Sequence, residues 1–296
     1  MKFSIQREAL LVPISQAVGV VERRQTLPVL GNFLLEADGE TLKVTGSDME
    51  VEMVGTAPAE VAQAGNITVP ARKLVEICKA LPEGVRLNLQ LNGEKLALHA
   101  GRSRFTLATL PAAEFPSSEA GGDADRLKVS EQRLSWLIGK TSMAMANQDV
   151  RHYLNGLLLE FKNGMLRAVA TDGHRLALAE IEADLEGNGR SVILPRKGVT
   201  ELSRILGHED EPVEIALGNN YLRVTRRNLT LTSKLIDGRF PDYEAVIPIS
   251  QDKSMMLDRQ DFIRALQRVA ILANEKYRGV RVESNPDSIR IVAHNP

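Results

Sequence analysis

The sequence predicts an α+β protein of tandem domains, each made of two strand-helix-three-strand halves. Three observations carry that reading. Leu30-Gly31-Asn32-Phe33-Leu34-Leu35-Glu36 recurs as Leu154-Asn155-Gly156-Leu157-Leu158-Leu159-Glu160, and Ser47-Asp48 as Thr171-Asp172, at an offset of 124 residues. Val69-Pro70-Ala71-Arg72-Lys73 recurs as Leu194-Pro195-Arg196-Lys197, and Phe115-Pro116 as Phe240-Pro241, at an offset of 125. A third copy opens at Asp258-Arg259-Gln260-Asp261-Phe262 and continues through Gly279-Val280-Arg281-Val282-Glu283. Self-similarity at a fixed period means stacked copies of one structural unit.

The elements follow in order. Residues 1–5 alternate like a strand, and 7–21 place Leu10, Ile14, Ala17, Val18 and Val21 on one helical face. Pro13 lies too deep for a first-turn proline, so a kink or a late helix start is expected there. Strands follow at 32–36, 41–45 and 51–56. The same order recurs as a strand over 66–69, a helix over 71–81 and strands over 86–91, 95–99 and 104–109, with Gly93 and Gly101 in turns. In the second copy Ser130 suits the N-cap of a helix running to about residue 146, where Leu134, Leu137, Ile138 and Thr141 face one way. Pro195 opens the next helix, whose apolar stripe is Val199, Leu202, Ile205 and Leu206. Asp258 with Asp261 marks a helix start in the third copy, carrying Phe262, Ile263, Leu266, Val269 and Ala270, and two strands can follow. Turn-rich stretches over 111–125 and 237–254 divide the chain into domains 1–124, 125–248 and 249–296.

Composition bounds the function. The 296 residues are 43% hydrophobic but only 4% aromatic, so the cores must be filled by Leu, Val, Ile and Ala. Cys78, the single cysteine, allows no internal disulfide and falls on the apolar side of its helix. A reducing cytoplasm fits, and neither a secretory leader nor a window of ~18 apolar residues for a membrane span is present. A net charge of −1 argues against a surface that grips nucleic acid all over, while leaving room for a local basic face.

Enzyme signatures mostly fail. Gly139-Lys140-Thr141 imitates the end of a phosphate loop, but Leu134 stands where the earlier glycine is required. His99, His152, His174, His208 and His294 show no metal-ligand spacing, and no cofactor is implied. Asp172-Gly173-His174-Arg175 puts a carboxylate beside an imidazole, which is acid-base equipment; a turn between two strands is the plainer reading. The repeated cations say more. Arg72 and Lys79 sit seven apart on one helix, Lys197 and Arg204 at the matching places in the second copy, and Arg133 and Lys140 repeat the spacing elsewhere. Seven residues are two helical turns, so each pair shares a face opposite the apolar stripe. Copies packed around a curve would line one wall with these cations, suiting a polyanion without sequence readout.

At these residues the chain resembles the bacterial replicative sliding clamp, the β subunit of the DNA polymerase III holoenzyme. The likeness runs along the whole chain, through Thr26-Leu27-Pro28-Val29-Leu30-Gly31-Asn32, Gln148-Asp149-Val150-Arg151, Ala170-Thr171-Asp172-Gly173-His174-Arg175-Leu176 and Asp237-Gly238-Arg239-Phe240-Pro241-Asp242-Tyr243. It implies a non-catalytic processivity factor: a ring of two identical chains around duplex DNA, with helices lining the inner face of the hole and antiparallel sheets outside. By position the family's DNA-touching residues fall on Arg24, Arg72, Gln148, Tyr153 and Lys197, with His152, Arg196, Lys79 and Arg204 beside them. The family's groove for a short peptide from the polymerase III catalytic subunit, the clamp loader and repair proteins falls on Leu154, Thr171, Gly173, His174, Arg175, Leu176, Pro241 and Val246. The family's ring closes through Phe105 and Leu107 of the first domain against Ile271 and Leu272 of the third.

Three complete copies need ~370 residues at this period. The chain is therefore expected to be a clamp shortened at its C-terminus, with Phe262, Ile263 and Leu266 poorly covered and dimerisation weakened. An enzyme using Asp172 and His174, and a peptide-binding scaffold that never meets DNA, are the competing readings.

Overall fold

The computed structural model of the chain describes residues 1–22, 27–116, 125–185, 189–207, 209–250, 252–274 and 279–293. The first half-repeat is β1 (Lys2–Gln6), α1 (Arg7–Ala17), β2 (Asn32–Asp38), β3 (Thr41–Ser47) and β4 (Val51–Pro58). After a short β5 (Glu60–Gln63), the second half follows as β6 (Gly65–Pro70), α2 (Ala71–Ala80), β7 (Arg86–Asn92), β8 (Lys95–Ala100) and β9 (Ser103–Ala108). The second copy restarts with β10 (Asp125–Ser130), α3 (Glu131–Thr141), β11 (Gly156–Lys162), β12 (Met165–Thr171) and β13 (Leu176–Glu182). A two-residue β14 (Asp184–Leu185) precedes β15 (Arg190–Pro195), α4 (Arg196–Ile205), β16 (Pro212–Leu217), β17 (Tyr221–Arg226) and β18 (Leu229–Lys234).

The opening strand of each half leaves its own hairpins and joins the sheet of the other half. Thus β1 pairs β7 in the order β5-β1-β7-β8-β9, and β6 pairs β2. The second copy repeats the exchange: β10 pairs β16, and β15 pairs β11 in the sheet β13-β12-β11-β15. Each helix is the crossover between the two sheets of its copy, so its apolar stripe is enclosed by both. Between copies, β18 pairs β4 antiparallel from Leu229 opposite Gly55 to Ser233 opposite Val51. That junction fuses two half-sheets into a nine-stranded one, β14-β10-β16-β17-β18-β4-β3-β2-β6, and one apolar core runs from Phe3 and Leu10 to Leu222 and Leu231. Met1–Pro241 accordingly forms a single compact unit, with Asp242–Pro296 as a second.

Several sequence expectations are corrected. The helix of the first half starts at Arg7 and runs through Pro13, whose ring is buried, to Ala17, so the helix does not start late. Opposite it Gly55 leaves the space, since a Cβ there would stand 2.7 Å from that of Pro13. Helix α3 ends at Thr141 rather than near 146, and residues Ser142–Ala144 tighten into a 3-10 turn. Ser130 caps it as expected, its side chain accepting from the Arg133 N–H. Pro195 is the last residue of β15 and the N-cap of α4, not its first turn. Gly93 and Gly101 do take positive φ in hairpin turns. Cys78 is buried, which pushes its thiol up to about 12 and leaves it an inert core group.

The second unit holds α5 (Arg259–Ala270), β19 (Arg281–Asn285) and β20 (Ser288–Val292), the last two a hairpin. Asp258 caps α5 by accepting the Asp261 N–H at 2.8 Å. No residue of α5 is buried, and Phe262, Ile263 and Leu266 remain half-exposed. No helix among the described residues is long and apolar enough to cross a membrane.

Candidate functional site

Two loops of the second copy meet beside the start of β11. The turn from β12 to β13 is wound around Asp172, whose Oδ1 accepts the N–H groups of His174 at 2.9 Å and Arg175 at 3.0 Å. Its Oδ2 takes Arg175 Nε at 3.1 Å. Thr171 Oγ1 accepts the Gly173 N–H at 3.0 Å and donates to the Arg175 carbonyl at 2.8 Å. Gly173 sits at φ 86°, a conformation that glycine takes without strain. The hydrogen bond from the His174 N–H, first among several, holds the Asp172 carboxyl below its ordinary range. Such a carboxylate is an acceptor built into a turn; what His174 gives it is a backbone N–H, not an imidazole. The side chains of His174 and Arg175 are exposed, and Leu176 beside them is half-buried.

The facing loop leads from α3 to β11. The Arg151 guanidinium grips Asp149 with Nε to Oδ1 at 3.0 Å and Nη2 to Oδ2 at 2.8 Å, and Nη2 also reaches the Asp172 carbonyl at 3.4 Å. It covers Gly173, where a Cβ would stand 3.2 Å from it. Asn155 closes the loop, accepting the Asp149 N–H at 2.9 Å and donating to the Asp149 carbonyl at 2.8 Å. Leu154 is buried beneath, Tyr153 is half-buried, and Gln148 and His152 are exposed, Gln148 at φ 56°. Ile236, just after β18, pairs with Ile193 of β15 and brings 236–241 alongside, with a Gly238 Cβ position 3.8 Å from that of Tyr153. Pro241 is exposed at the end of this unit; Val246 is exposed in the second unit. Asp149, Arg151 and Asn155, which hold the loop, had no role in the sequence reading. The dense polar run from Gln148 to Arg151 between a helix and a strand is the signal that could have found them.

The Arg151 side chain, the main cause, holds the half-buried Asp149 carboxyl at about 2, below its ordinary 3.8. A depressed carboxylate lends its order fully above its unfolded pKa and loses it as the pH falls through the folded one. A carbon-detected NMR titration is therefore expected to find the Asp149 midpoint near 2, with the loop ordered at pH 4; a midpoint at 3.8 would show that the Arg151 fork is absent in solution.

The first copy carries the same turn. Asp48 Oδ1 accepts the N–H groups of Glu50 at 2.9 Å and Val51 at 2.7 Å, Ser47 Oγ accepts that of Met49 at 3.1 Å, and Met49 holds φ 75° where the second copy has Gly173.

The expected cationic wall is unevenly occupied. On α2, Arg72 and Lys79 are exposed, and Arg72 Nη2 donates to the Val21 carbonyl at 2.8 Å. On α4, Lys197 is paired with Glu22 at 2.5 Å and with Asp48, while Arg204 meets Glu201 and the carbonyls of Ser15 and Gln16. Arg196 is half-buried at the start of α4, and its N–H donates to the Asn155 carbonyl at 2.9 Å. On α3, Arg133 pairs with Glu182 at 2.9 Å and Lys140 lies 5.9 Å from the Trp136 ring centre. Arg24, His208 and His294 lie outside the described residues.

Strand β9 lies at the edge of its sheet with Leu107 buried and Phe105 packed on the core, so the edge offers its backbone outward rather than these two side chains. Ile271 and Leu272 are exposed in the second unit. No cluster of three or more His, Cys, Asp or Glu among the described residues could hold a metal ion.

Comparison with known proteins gives three consecutive family matches: the N-terminal domain of the DNA polymerase III beta subunit over residues 1–119, its central domain over 128–242 and its C-terminal domain over 244–296. The Beta sliding clamp of Pseudomonas aeruginosa is 52% identical over 298 residues, spanning 100% of this chain and 81% of that protein. That of Escherichia coli K12 is 45% identical over 297 residues, with the same coverage. Among solved structures, the Pseudomonas aeruginosa DnaN sliding clamp bound to griselimycin superposes with a TM-score of 0.96 at 52% identity, covering 100% of this chain and 81% of that one. The Caulobacter crescentus polymerase III beta chain gives 0.91 at 40% identity, covering 98% and 80%.

Proposed function

The chain belongs to the family of the DNA polymerase III β subunit, the sliding clamp and non-catalytic processivity factor of that polymerase, and from that premise we propose which of its surfaces meet DNA, partners and a second copy. The observation that carries most weight is the β4–β18 junction. Strand β4 ends the first half of one copy, and β18 ends the second half of the next. Their counterparts, β13 and β9, lie at sheet edges among the described residues. Each of these open edges can take the same kind of antiparallel pairing, the kind that joins successive copies into a ring. The repeats 1–124, 125–248 and 249–296 are the domains of that ring.

In this reading Arg72, Lys79 and Arg196, with Gln148, His152 and Tyr153 in the loop beyond α3, form the face toward duplex DNA. Enclosure holds the ring on DNA, so weak backbone contacts suffice and a net charge of −1 is no obstacle. The loops around Leu154 and Thr171–Leu176, with Pro241, take the short motif of the polymerase III catalytic subunit, the clamp loader and other partners; apolar pockets anchor it and the exposed His174 and Arg175 fix its direction. The relative bound to griselimycin suggests that this chain also takes that compound.

The DNA face is tested by reversing the charge of Arg72 and Lys79 together. Anisotropy of a labelled duplex at low salt is expected to show binding by the wild-type chain and loss of most of it in Arg72→Glu/Lys79→Glu. Equal binding by the two chains would remove α2 from the DNA face.

A further inference from the structure

The cations of α4 reach into the first copy. Arg204 sends Nη1 to the Ser15 carbonyl at 3.1 Å and Nη2 to that of Gln16, while Nε holds Glu201 Oε2 at 2.9 Å. Ser15 and Gln16 belong to the last turn of α1, which has no basic residue of its own. Its unbonded carbonyls and negative dipole end favour a cation at that point. Gly19 makes the room, since a Cβ there would run into the Arg204 guanidinium and the Glu201 carboxylate.

Two turns earlier Lys197 lies between Glu22, at 2.5 Å, and Asp48. Asp48 is a fixed partner, because its side chain is 5% exposed and its Oδ1 already accepts two backbone N–H groups of its own turn. Burial alone would lower the Lys197 ammonium, but Asp48 and Glu22 hold it above its ordinary value. One copy further on, the equivalent Asp172 is held by Arg175 of its own turn instead.

We propose that Lys197 and Arg204 are positioning residues that pin the second copy's α4 to the end of α1 and the β3–β4 turn, their charge being committed there rather than to nucleic acid. The proposal rests on the reading of this wall as DNA-facing and narrows it to Arg72, Lys79 and Arg196. Seven-residue spacing put both pairs on one face; the first copy's carboxylates and carbonyls then divide them by role.

The test uses the 296-residue chain with Lys197→Met and with Gly19→Ala, which expels the Arg204 guanidinium without removing its charge. Thermal unfolding is measured beside anisotropy of a labelled duplex over a salt series. Both variants are expected to lower Tm by about 3 °C or more, to leave the slope of log K against log salt unchanged, and Lys197→Arg to recover the Tm. A slope smaller by about 0.9 in Lys197→Met would make Lys197 a phosphate contact and overturn the proposal; an unchanged Tm in both variants would overturn it too. If Lys197→Met does not fold, Glu22→Gln takes its place: a lower Tm with unchanged DNA affinity supports the pin, and tighter DNA binding by the freed ammonium refutes it. Should the wild-type chain bind no duplex at all, the DNA-facing wall fails. The pin is then decided by a double-mutant cycle of Lys197→Met with Asp48→Asn, where a coupled loss supports it and additive losses reject it.

Discussion

Replacing Glu131 by alanine is expected to destabilise the chain by about 3–5 kcal/mol, because it leaves a charge without its partner in the interior. Glu131 opens α3 with its side chain fully buried, where it pairs with Arg226 Nε at 2.6 Å and accepts the Gly207 N–H. One carboxylate thus joins the start of α3, the loop after α4 and the end of β17. Its negative charge also suits the N-terminal end of a helix dipole. Arg226→Met alone should cost a similar amount, whereas Glu131→Leu with Arg226→Met should recover much of the loss, since removing both charges leaves no buried charge unpaired and only the Gly207 N–H without its acceptor. In thermal unfolding each single change is expected to lower Tm on the order of 10 °C. Single losses below ~1 kcal/mol, as for an exposed pair, would show that water reaches this site.

Gly156→Ala is the second large effect. Gly156 starts β11 opposite Pro195 of β15, and a Cβ there would stand 2.6 Å from the Leu194 carbonyl and 2.8 Å from Ile193 Cγ2. The carbonyl is backbone and cannot turn aside, so the β11–β15 pairing must open at its root. Overpacking of this kind costs about 1–3 kcal/mol. Leu154 and Asn155 precede this residue directly, so the same change should weaken peptide binding more than tenfold, about 1.4 kcal/mol. A chain that keeps both its denaturation midpoint and its peptide affinity would show that the strands separate freely there.

The repeat itself was legible because periodicity records local structure. Apolar spacing placed α1 to α4 and the meander strands, and Ser130 and Asp258 announced their helices by side-chain capping. The exchange of opening strands between halves was not legible, since a strand's alternation says which face is buried and not which neighbour it takes. Short β5 and β14 carry too few residues for a pattern. The site was half legible. The Asp172 turn lies in a segment that the resemblance singles out, but the Asp149–Arg151 fork that shapes the loop facing it is a contact between polar residues with no periodicity to reveal it. Lys197 and Arg204 share a helical face with each other exactly as spacing requires of any seven-residue pair, and only the packed first copy shows what that face meets.

In the proposed reading the second copy carries the groove through which a polymerase is tethered. The direct measurement is the anisotropy of a fluorescent peptide bearing the clamp-binding motif of a polymerase III catalytic subunit, titrated with the wild-type chain, with His174→Ala/Leu176→Asp and with Arg72→Glu/Lys79→Glu. Saturable binding by the wild type, a more than tenfold loss in the groove variant and no loss in the α2 variant are predicted. No saturable binding by the wild-type chain, or equal binding by the groove variant, would contradict it.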